Sequence, residues 1–228
     1  MTLPNFLIVG AARSGTTALH GLLDQHPDIF MSHQKELYFL ASDTPPDFQG
    51  PGDDIVNNIW IKTWDEYRSV FAEAKNEKAV GEATPYYLCA RQAPRLIKRY
   101  LPDAKLIMIL RDPVSRAFSS YMFMRQYGWE RKASFGSALA KEQQRKQSNW
   151  QYIWRYRELG LYSEQVQRFL NLFKKEQIWI GIFDDFTEDQ LSLVQNVFRF
   201  LDVNDGFEPS FAEKRNASGS PRFPSLHR

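Results

Sequence analysis

The chain has 228 residues, 43% hydrophobic and 25% charged, and its 29 basic against 27 acidic residues leave a net charge of +2. A chain of this length buries roughly 70–75% of its unfolded surface and needs neither disulfide nor structural metal to hold a core, and so even a charge argues against a nucleic-acid binder while leaving room for a local anion site. Cys89 is the sole cysteine, no stretch approaches the ~20 apolar residues of a membrane span, and no basic leader precedes the first strand-like segment, so a cytoplasmic protein without a disulfide framework or multi-cysteine zinc site is expected.

Phe6-Leu7-Ile8-Val9 is a continuous apolar run of the kind found in a buried parallel strand. Gly10 to Gly15 supplies a loop, and from Thr16 the pattern turns helical, with Leu19, Leu22 and Leu23 on one face, ending near His26-Pro27. Ile29 to Met31 is a short second strand. Residues 43–54, rich in Pro, Gly and Asp, form a loop. A helix is expected over Trp64–Ala74, a strand over Ala79–Glu82, and a helix over Ala90–Tyr100 with Pro94 in its first turn. Leu106 to Leu110 is the clearest strand. Asp112-Pro113 then gives N-cap and first-turn chemistry for a helix to about Tyr127. Helices follow over Ser134–Lys146 and Glu164–Lys175, a strand over Ile178–Phe183, and a final helix carrying Leu191, Val194, Phe198 and Leu201, with Thr187 and Gln190 as a capping box. Residues 208–228 show no periodicity. With no repeat and no linker, residues 1–228 read as one domain of the α/β class: a three-layer sandwich around a central, mainly parallel sheet with a P-loop-like phosphate-binding loop.

That loop is Gly10-Ala11-Ala12-Arg13-Ser14-Gly15-Thr16-Thr17. Small residues let backbone N–H groups approach a phosphate, and the following helix adds its N-terminal dipole. The nucleoside-triphosphate pattern G-x-x-x-x-G-K-[ST] is met except at the lysine, where Thr16 stands. Losing the cation that reaches the β- and γ-phosphates argues against ATP or GTP hydrolysis. Arg13 is the loop's one cation, placed to neutralise charge building on a leaving group; read blandly, the segment is only a glycine turn.

Arg111 sits at the carboxyl end of the best strand, where open α/β sheets bind ligands, and Ser119 lies about 9 Å further along the next helix. Together they can hold a phosphate the glycine loop does not reach; alternatively Arg111 pairs with Asp112 and Ser119 is a surface hydroxyl. Arg116 reads as a solvated helix-face residue. Glu36, between Lys35 and the apolar run Leu37-Tyr38-Phe39, is a candidate general base whose acidity is raised or lowered by competing neighbours; on spacing alone an exposed Lys-Glu pair is the better fit. His33 is a rival base. Glu82 is either a substrate-orienting loop carboxylate or a strand-end surface charge.

These segments, with His26-Pro27, Lys35-Glu36-Leu37-Tyr38-Phe39, Gly81-Glu82-Ala83-Thr84-Pro85-Tyr86-Tyr87 and Leu110-Arg111-Asp112-Pro113 through Ser119-Ser120-Tyr121 in register, resemble the PAPS-dependent sulfotransferases, in particular the bacterial domains and the heparan-sulfate branch. PAPS is 3′-phosphoadenosine 5′-phosphosulfate. The resemblance is strong over about residues 5–125. It implies that Arg13, Ser14, Gly15, Thr16 and Thr17 bind the 5′-phosphosulfate, that Arg111 and Ser119 grip the 3′-phosphate, and that Glu36 takes the acceptor proton as Arg13 offsets charge on the departing phosphate. Residues 214–222 resemble the family's nucleotide-closing loop, with Arg215 and Gly219 as nucleotide contacts. The implied reaction moves a sulfuryl group to a hydroxyl or amine of a small-molecule, carbohydrate or acyl acceptor, requires no metal and leaves PAP. Phe39, Tyr38, Tyr86, Tyr87, Trp129, Trp150 and Trp154 are candidates for the acceptor pocket or, more often for such aromatics, for the core. The acids of 43–54 argue against a heavily sulfated polymer. Ala83 stands where the heparan-sulfate enzymes often have lysine, and the chain stops at Arg228 where many relatives continue. Both departures motivate an alternative, a non-catalytic PAP-binding domain. A P-loop small-molecule kinase, with Asp184 and Asp185 as its magnesium acids, is the remaining rival.

Overall fold

A computed structural model describes residues 2–211 of the chain. Five parallel strands form one sheet: β1 (Phe6–Gly10), β2 (Ile29–Met31), β3 (Ala79–Ala83), β4 (Lys105–Leu110) and β5 (Ile178–Ile182), in the order β2-β3-β1-β4-β5. The three inner strands are apolar almost without interruption because helices cover both faces of the sheet. Side chains alternate between those faces. Leu7, Val9, Leu106 and Met108 enter one core, with Leu96 and Ile97 of α4 (Ala93–Tyr100) and aromatics from the 37–71 segment. Phe6, Ile8, Ile107 and Ile109 enter the other, against α1 (Thr16–Leu23) and α10 (Gln190–Phe200). Those two faces and the sheet are the three layers.

The chain leaves β1 toward β2 and leaves β4 toward β5, in opposite directions along the sheet. Adjacent strands whose connections diverge open a crevice at their carboxyl ends, where α/β folds place ligands. The glycine loop follows β1 and Arg111 follows β4, so both stand at this crevice.

Smaller elements depart from the sequence expectation. The 43–54 loop ends in a helix, α2 (Asp53–Ile59). Asp53 is fully buried, accepting from Gly50 N at 2.8 Å, Gln151 N at 2.9 Å and Trp154 Nε1 at 3.3 Å. One of the loop's acids thus ties it to the 150–154 segment. Helix α3 ends early (Trp64–Ser69), and Thr63 and Glu66 form its capping box. The expected 134–146 helix breaks into α6 (Phe135–Leu139) and α7 (Glu142–Gln147). Helix α5 spans Pro113–Gln126 from an Asp112 cap that accepts from Ser115 N at 2.8 Å, and α8 spans Tyr162–Leu170. Strand β5 stops at Ile182, and α9 (Phe183–Glu188) holds Asp184 and Asp185 exposed in its first turn. Asp189, not Thr187, caps α10, accepting from Ser192 N at 3.0 Å. Arg116 is no solvated residue: it is wholly buried, donating to Ser120 Oγ at 3.2 Å and to the Tyr156 carbonyl. Arg145 Nη2 meets Glu130 Oε2 at 2.7 Å in a separate buried ion pair. Among the described residues no helix is long and apolar enough to cross a membrane.

Candidate active site

The glycine loop turns on two left-handed residues, Arg13 (φ 68°) and Gly15 (φ 84°). At Gly15 the positive φ favours glycine, and a Cβ would also crowd the Phe186 and Phe183 rings at 3.0 and 3.1 Å. Gly15 is the N-cap of α1 and offers no side-chain acceptor, which leaves the first-turn N–H groups facing the crevice for an anion. Ser14 is fully buried, and its Oγ makes no hydrogen bond of ordinary geometry among the described residues; the Tyr162 hydroxyl nearby is in the same state. The two hydroxyls are within reach of each other, and neither has a firmer side-chain partner among the described residues, which leaves Ser14 free to turn to a phosphate-type ligand.

Arg13 is a left-handed non-glycine residue, a conformation held only when its surroundings over-determine it. Its guanidinium lies 4.4 Å from the Phe123 ring centre, and its Nε donates to Ser119 Oγ at 3.3 Å. Arg111 donates from Nη1 to the Arg13 carbonyl at 3.2 Å and stacks over Phe183 at 4.4 Å. Burial first, and then the Arg111 charge, push the Arg13 guanidinium below its usual value. Two neighbouring arginines, held on aromatic faces and among the described residues without a carboxylate in ion-pair range, form an electropositive site that an anion relieves. The structure therefore brings Arg13, Arg111 and Ser119 together, and pairs Arg111 with Phe183 rather than with Asp112.

Lys35 Nζ donates to Thr17 Oγ1 at 2.6 Å, and burial holds its ammonium below the usual lysine value. Lys35 and Glu36 are thus not an exposed pair: the lysine reaches back to α1 while the carboxylate points elsewhere. Glu36 (φ 60°) and Tyr38 (φ 60°) are both left-handed, and the Tyr38 phenol donates to Glu36 Oε2. Burial, and then the Glu36 charge, keep the Tyr38 hydroxyl protonated far above the usual phenol range. Behind them Glu36 N donates to Ala83 O at 2.9 Å and Leu37 N to Thr84 Oγ1 at 3.0 Å, so the end of β3 carries the backbone of Glu36 and Leu37.

Glu36, Tyr38, Arg13, Thr16 and Thr17 line one cavity of about 220 Å³. The rest of its lining is mostly apolar, with Ile55 and Ile59 of α2, Phe123 of α5, Trp129 and Ile153, and includes the polar Gln151. Trp129 stacks on Tyr127 with ring centres 4.9 Å apart and is pressed against Gly52, where a Cβ would come within 2.5 Å of the indole. The end of the 43–54 segment is thereby a wall of the cavity. The other candidate aromatics are mainly core: Tyr87 and Trp154 are fully buried, Phe39 packs on Tyr67, and Trp150 packs on Trp154.

A family model for the sulfotransferases matches residues 4–209. The chain belongs to the sulfotransferase family. The crystal structure of a sulfotransferase from Alicyclobacillus acidocaldarius superposes with a TM-score of 0.91 at 38% identity, covering 95% of this chain and 88% of that one. The sulfotransferase domain from the curacin biosynthetic pathway shares the fold, with a TM-score of 0.58 at 17% identity over 92% of this chain and 77% of that one. The membrane-associated sulfotransferase kil1 of Dictyostelium discoideum is 38% identical over 130 residues, 56% of this chain and 24% of that protein. The human heparan sulfate glucosamine 3-O-sulfotransferase 6 is 34% identical over 118 residues, 52% of this chain and 30% of that protein. The chain spans under a third of the length of these two curated sulfotransferases.

In this sulfotransferase fold two expected bases separate. His33 is exposed and bonds Glu73 Oε2 at 3.2 Å, outside the Glu36 cavity. Glu82 is neither a surface charge nor a substrate contact but a fully buried carboxyl bonded to Thr84 and Tyr67. Arg215, Gly219 and the rest of the 214–222 loop lie outside the described residues. The contacts of Lys35 with Thr17 and of Tyr38 with Glu36 are not foreshadowed by the sequence pattern. The one available signal is their place flanking the candidate base, since neither contact follows from the chain's periodicity.

Proposed function

We propose that the chain transfers a sulfuryl group from PAPS to a hydroxyl or amine of a compact, largely apolar acceptor, with Glu36 as general base. The observation that carries this reading is the single cavity joining Glu36 to Arg13 and the glycine loop. The α1 N–H groups, Thr16, Thr17 and Lys35 would hold the 5′-phosphosulfate, and Arg111 with Ser119 the 3′-phosphate. Glu36 takes the acceptor proton as the acceptor oxygen or nitrogen bonds to sulfur. The bond from sulfur to the bridging oxygen breaks, and Arg13 offsets the charge left on the departing phosphate. Positioning and charge neutralisation of this kind supply most of the catalysis in group transfers between oxyanions.

The far walls of the cavity support this acceptor class, Gln151 being the polar exception among them. Ile55, Ile59, Phe123 and Ile153 offer no hydrogen bonds to a glycan, and Trp129 is already faced by Tyr127 and Gly52. At about 220 Å³ the cavity is smaller than the ~300–1,000 Å³ of drug-sized sites, which suits an alcohol, phenol or short acyl chain over a sulfated polymer.

Calorimetric titration with PAP and with ADP, each with and without Mg²⁺, tests the donor assignment; transfer from PAPS to a panel of phenols, alkanols and heparan-type glycans tests the acceptor. PAP preference without Mg²⁺ and turnover of the apolar acceptors are expected. Preference for ADP with Mg²⁺ would support the kinase reading instead. PAP binding without transfer to any acceptor would support the non-catalytic one.

A further inference from the structure

A second polar cavity, of about 280 Å³, lies between the turn after β3, helix α7, the 152–160 turns and α8. Its cations are Arg91, Lys146, Arg155 and Arg168, and its acids are Glu158 and Glu164. Some of this charge is matched internally. Lys146 Nζ sits 2.9 Å from Glu158 Oε2, and Arg168 Nη2 donates to the Leu88 and Cys89 carbonyls at 3.1 and 3.2 Å. The Nε of Arg168 is nonetheless buried without an acceptor.

Arg155 is the least satisfied of the four. It is 8% exposed, and its guanidinium lies over Tyr152, 4.0 Å from the ring centre. The carboxylate nearest to it in ion-pair range is Glu158 Oε1 at 3.8 Å, too long for a hydrogen bond and on a residue already engaged by Lys146. Among the described residues the Arg155 side chain donates no hydrogen bond, and its Nε is shut off from solvent. A guanidinium carries five N–H donors, and native structures pair buried charged donors because leaving them unmet is costly.

We infer that this cavity is a second anion site, taking a tetrahedral oxyanion, sulfate or phosphate, on Arg155, Arg168 and Arg91. The planar fork of arginine matches two oxygens of such a group, and the exposed Arg91 closes the solvent side. The site is separate from the glycine loop. The Tyr152 edge meets Tyr86 at 4.4 Å and Tyr86 meets Tyr38 at 5.4 Å, so one aromatic layer divides this cavity from the Glu36 carboxylate.

Inorganic sulfate and inorganic phosphate, titrated calorimetrically at constant ionic strength into the full chain and into Arg155→Met, Arg91→Ala and Arg111→Ala variants, test the inference. The expected result is two binding events: one at the glycine loop, lost or weakened in Arg111→Ala, and one unchanged by Arg111→Ala but weakened at least tenfold by Arg155→Met and severalfold by Arg91→Ala. Binding in which no event responds to Arg155 or Arg91, no binding of either ion, or loss of all binding in Arg111→Ala would overturn it. Should Arg155→Met fail to fold, the exposed Arg91→Ala variant decides alone.

Discussion

Tyr38 and Glu36 face each other across a single intervening residue because both adopt the left-handed conformation, and the phenol of one donates to the carboxylate of the other. Tyr38 is itself clamped, stacked on Trp60 with ring centres 5.0 Å apart at 13°. The carboxylate is therefore aimed by a rigid aromatic layer and not by its own flexible chain. Glu36→Gln is expected to lower kcat by about 10²–10⁴, the usual worth of a general base, with PAP affinity within twofold of the parent. Tyr38→Phe removes only the aiming contact: kcat should fall roughly tenfold, as one lost hydrogen bond of ~1.4 kcal/mol implies, with KM for the donor unchanged. Steady-state kinetics with PAPS varied at saturating acceptor separate these outcomes, and a full-rate Glu36→Gln variant would remove the base assignment.

Arg13, Arg111 and Ser119 form one cluster, with Ser119 accepting from Arg13 and Arg111 donating to the Arg13 backbone. If Arg111 and Ser119 grip the 3′-phosphate, their loss should cost PAP and not ADP, which lacks that group. Hydrogen bonds to a charged group are worth ~1.5–3 kcal/mol, so Arg111→Ala is expected to weaken PAP about 10–100-fold and Ser119→Ala less, with ADP affinity little changed. Calorimetry on the two nucleotides gives the ratio. Equal losses for both would assign Arg111 to the 5′ side.

Much of this arrangement is legible in the amino-acid sequence. The apolar runs of β1 and β4, the glycine loop and the Asp112-Pro113 cap are local signals, and they place the loop and Arg111 at neighbouring strand ends. What escapes is non-local. Asp53 reads only as one acid of a loop until Gln151 and Trp154, about a hundred residues on, arrive to bond it. Arg116 reads as a surface cation until the Tyr156 carbonyl covers it. Lys35 reads as half of a surface pair until Thr17 draws it away. All three share one physical origin: a polar residue's partner cannot be read from its own neighbourhood, whereas an apolar strand announces its burial by itself.

Gly52 tests the acceptor wall without touching the donor residues. Its φ of 77° disfavours any side chain, and an added Cβ would press within 2.5 Å of the Trp129 ring. Gly52→Ala is expected to destabilise the fold by about 2–4 kcal/mol, combining left-handed strain with overpacking. It should also push Trp129 into the cavity, raising KM for the acceptor while PAP affinity stays unchanged. Chemical denaturation and a two-substrate kinetic analysis read the two effects separately. An unchanged acceptor KM would take Trp129 out of the acceptor wall.

Glu82 gives the protein a pH dependence whose sign is fixed by burial. It is fully buried in β3, and desolvation raises its carboxyl from 4.5 to about 7, against the opposing hydrogen bonds from Thr84, Tyr87 and Tyr67. Below pH 4.5 folded and unfolded chains both keep the proton, so nothing is lost. Between 4.5 and about 7 the unfolded chain releases it and the folded chain holds it, so the unfolded state binds fewer protons and stability falls as pH rises. At ~1.4 kcal/mol per pH unit this window is worth on the order of 3 kcal/mol. Glu82→Gln, which keeps the shape and cannot titrate, should flatten that part of the curve and leave the variant more stable relative to the parent at pH 8 than at pH 4. The effect reaches the site, because Thr84 donates to Glu82 at 2.6 Å while accepting from Leu37 N, next to the candidate base. Urea titrations from pH 4 to 8 on both proteins measure the slope. A parent-minus-variant stability difference that rises across that window would show that Glu82 is ionised in the fold.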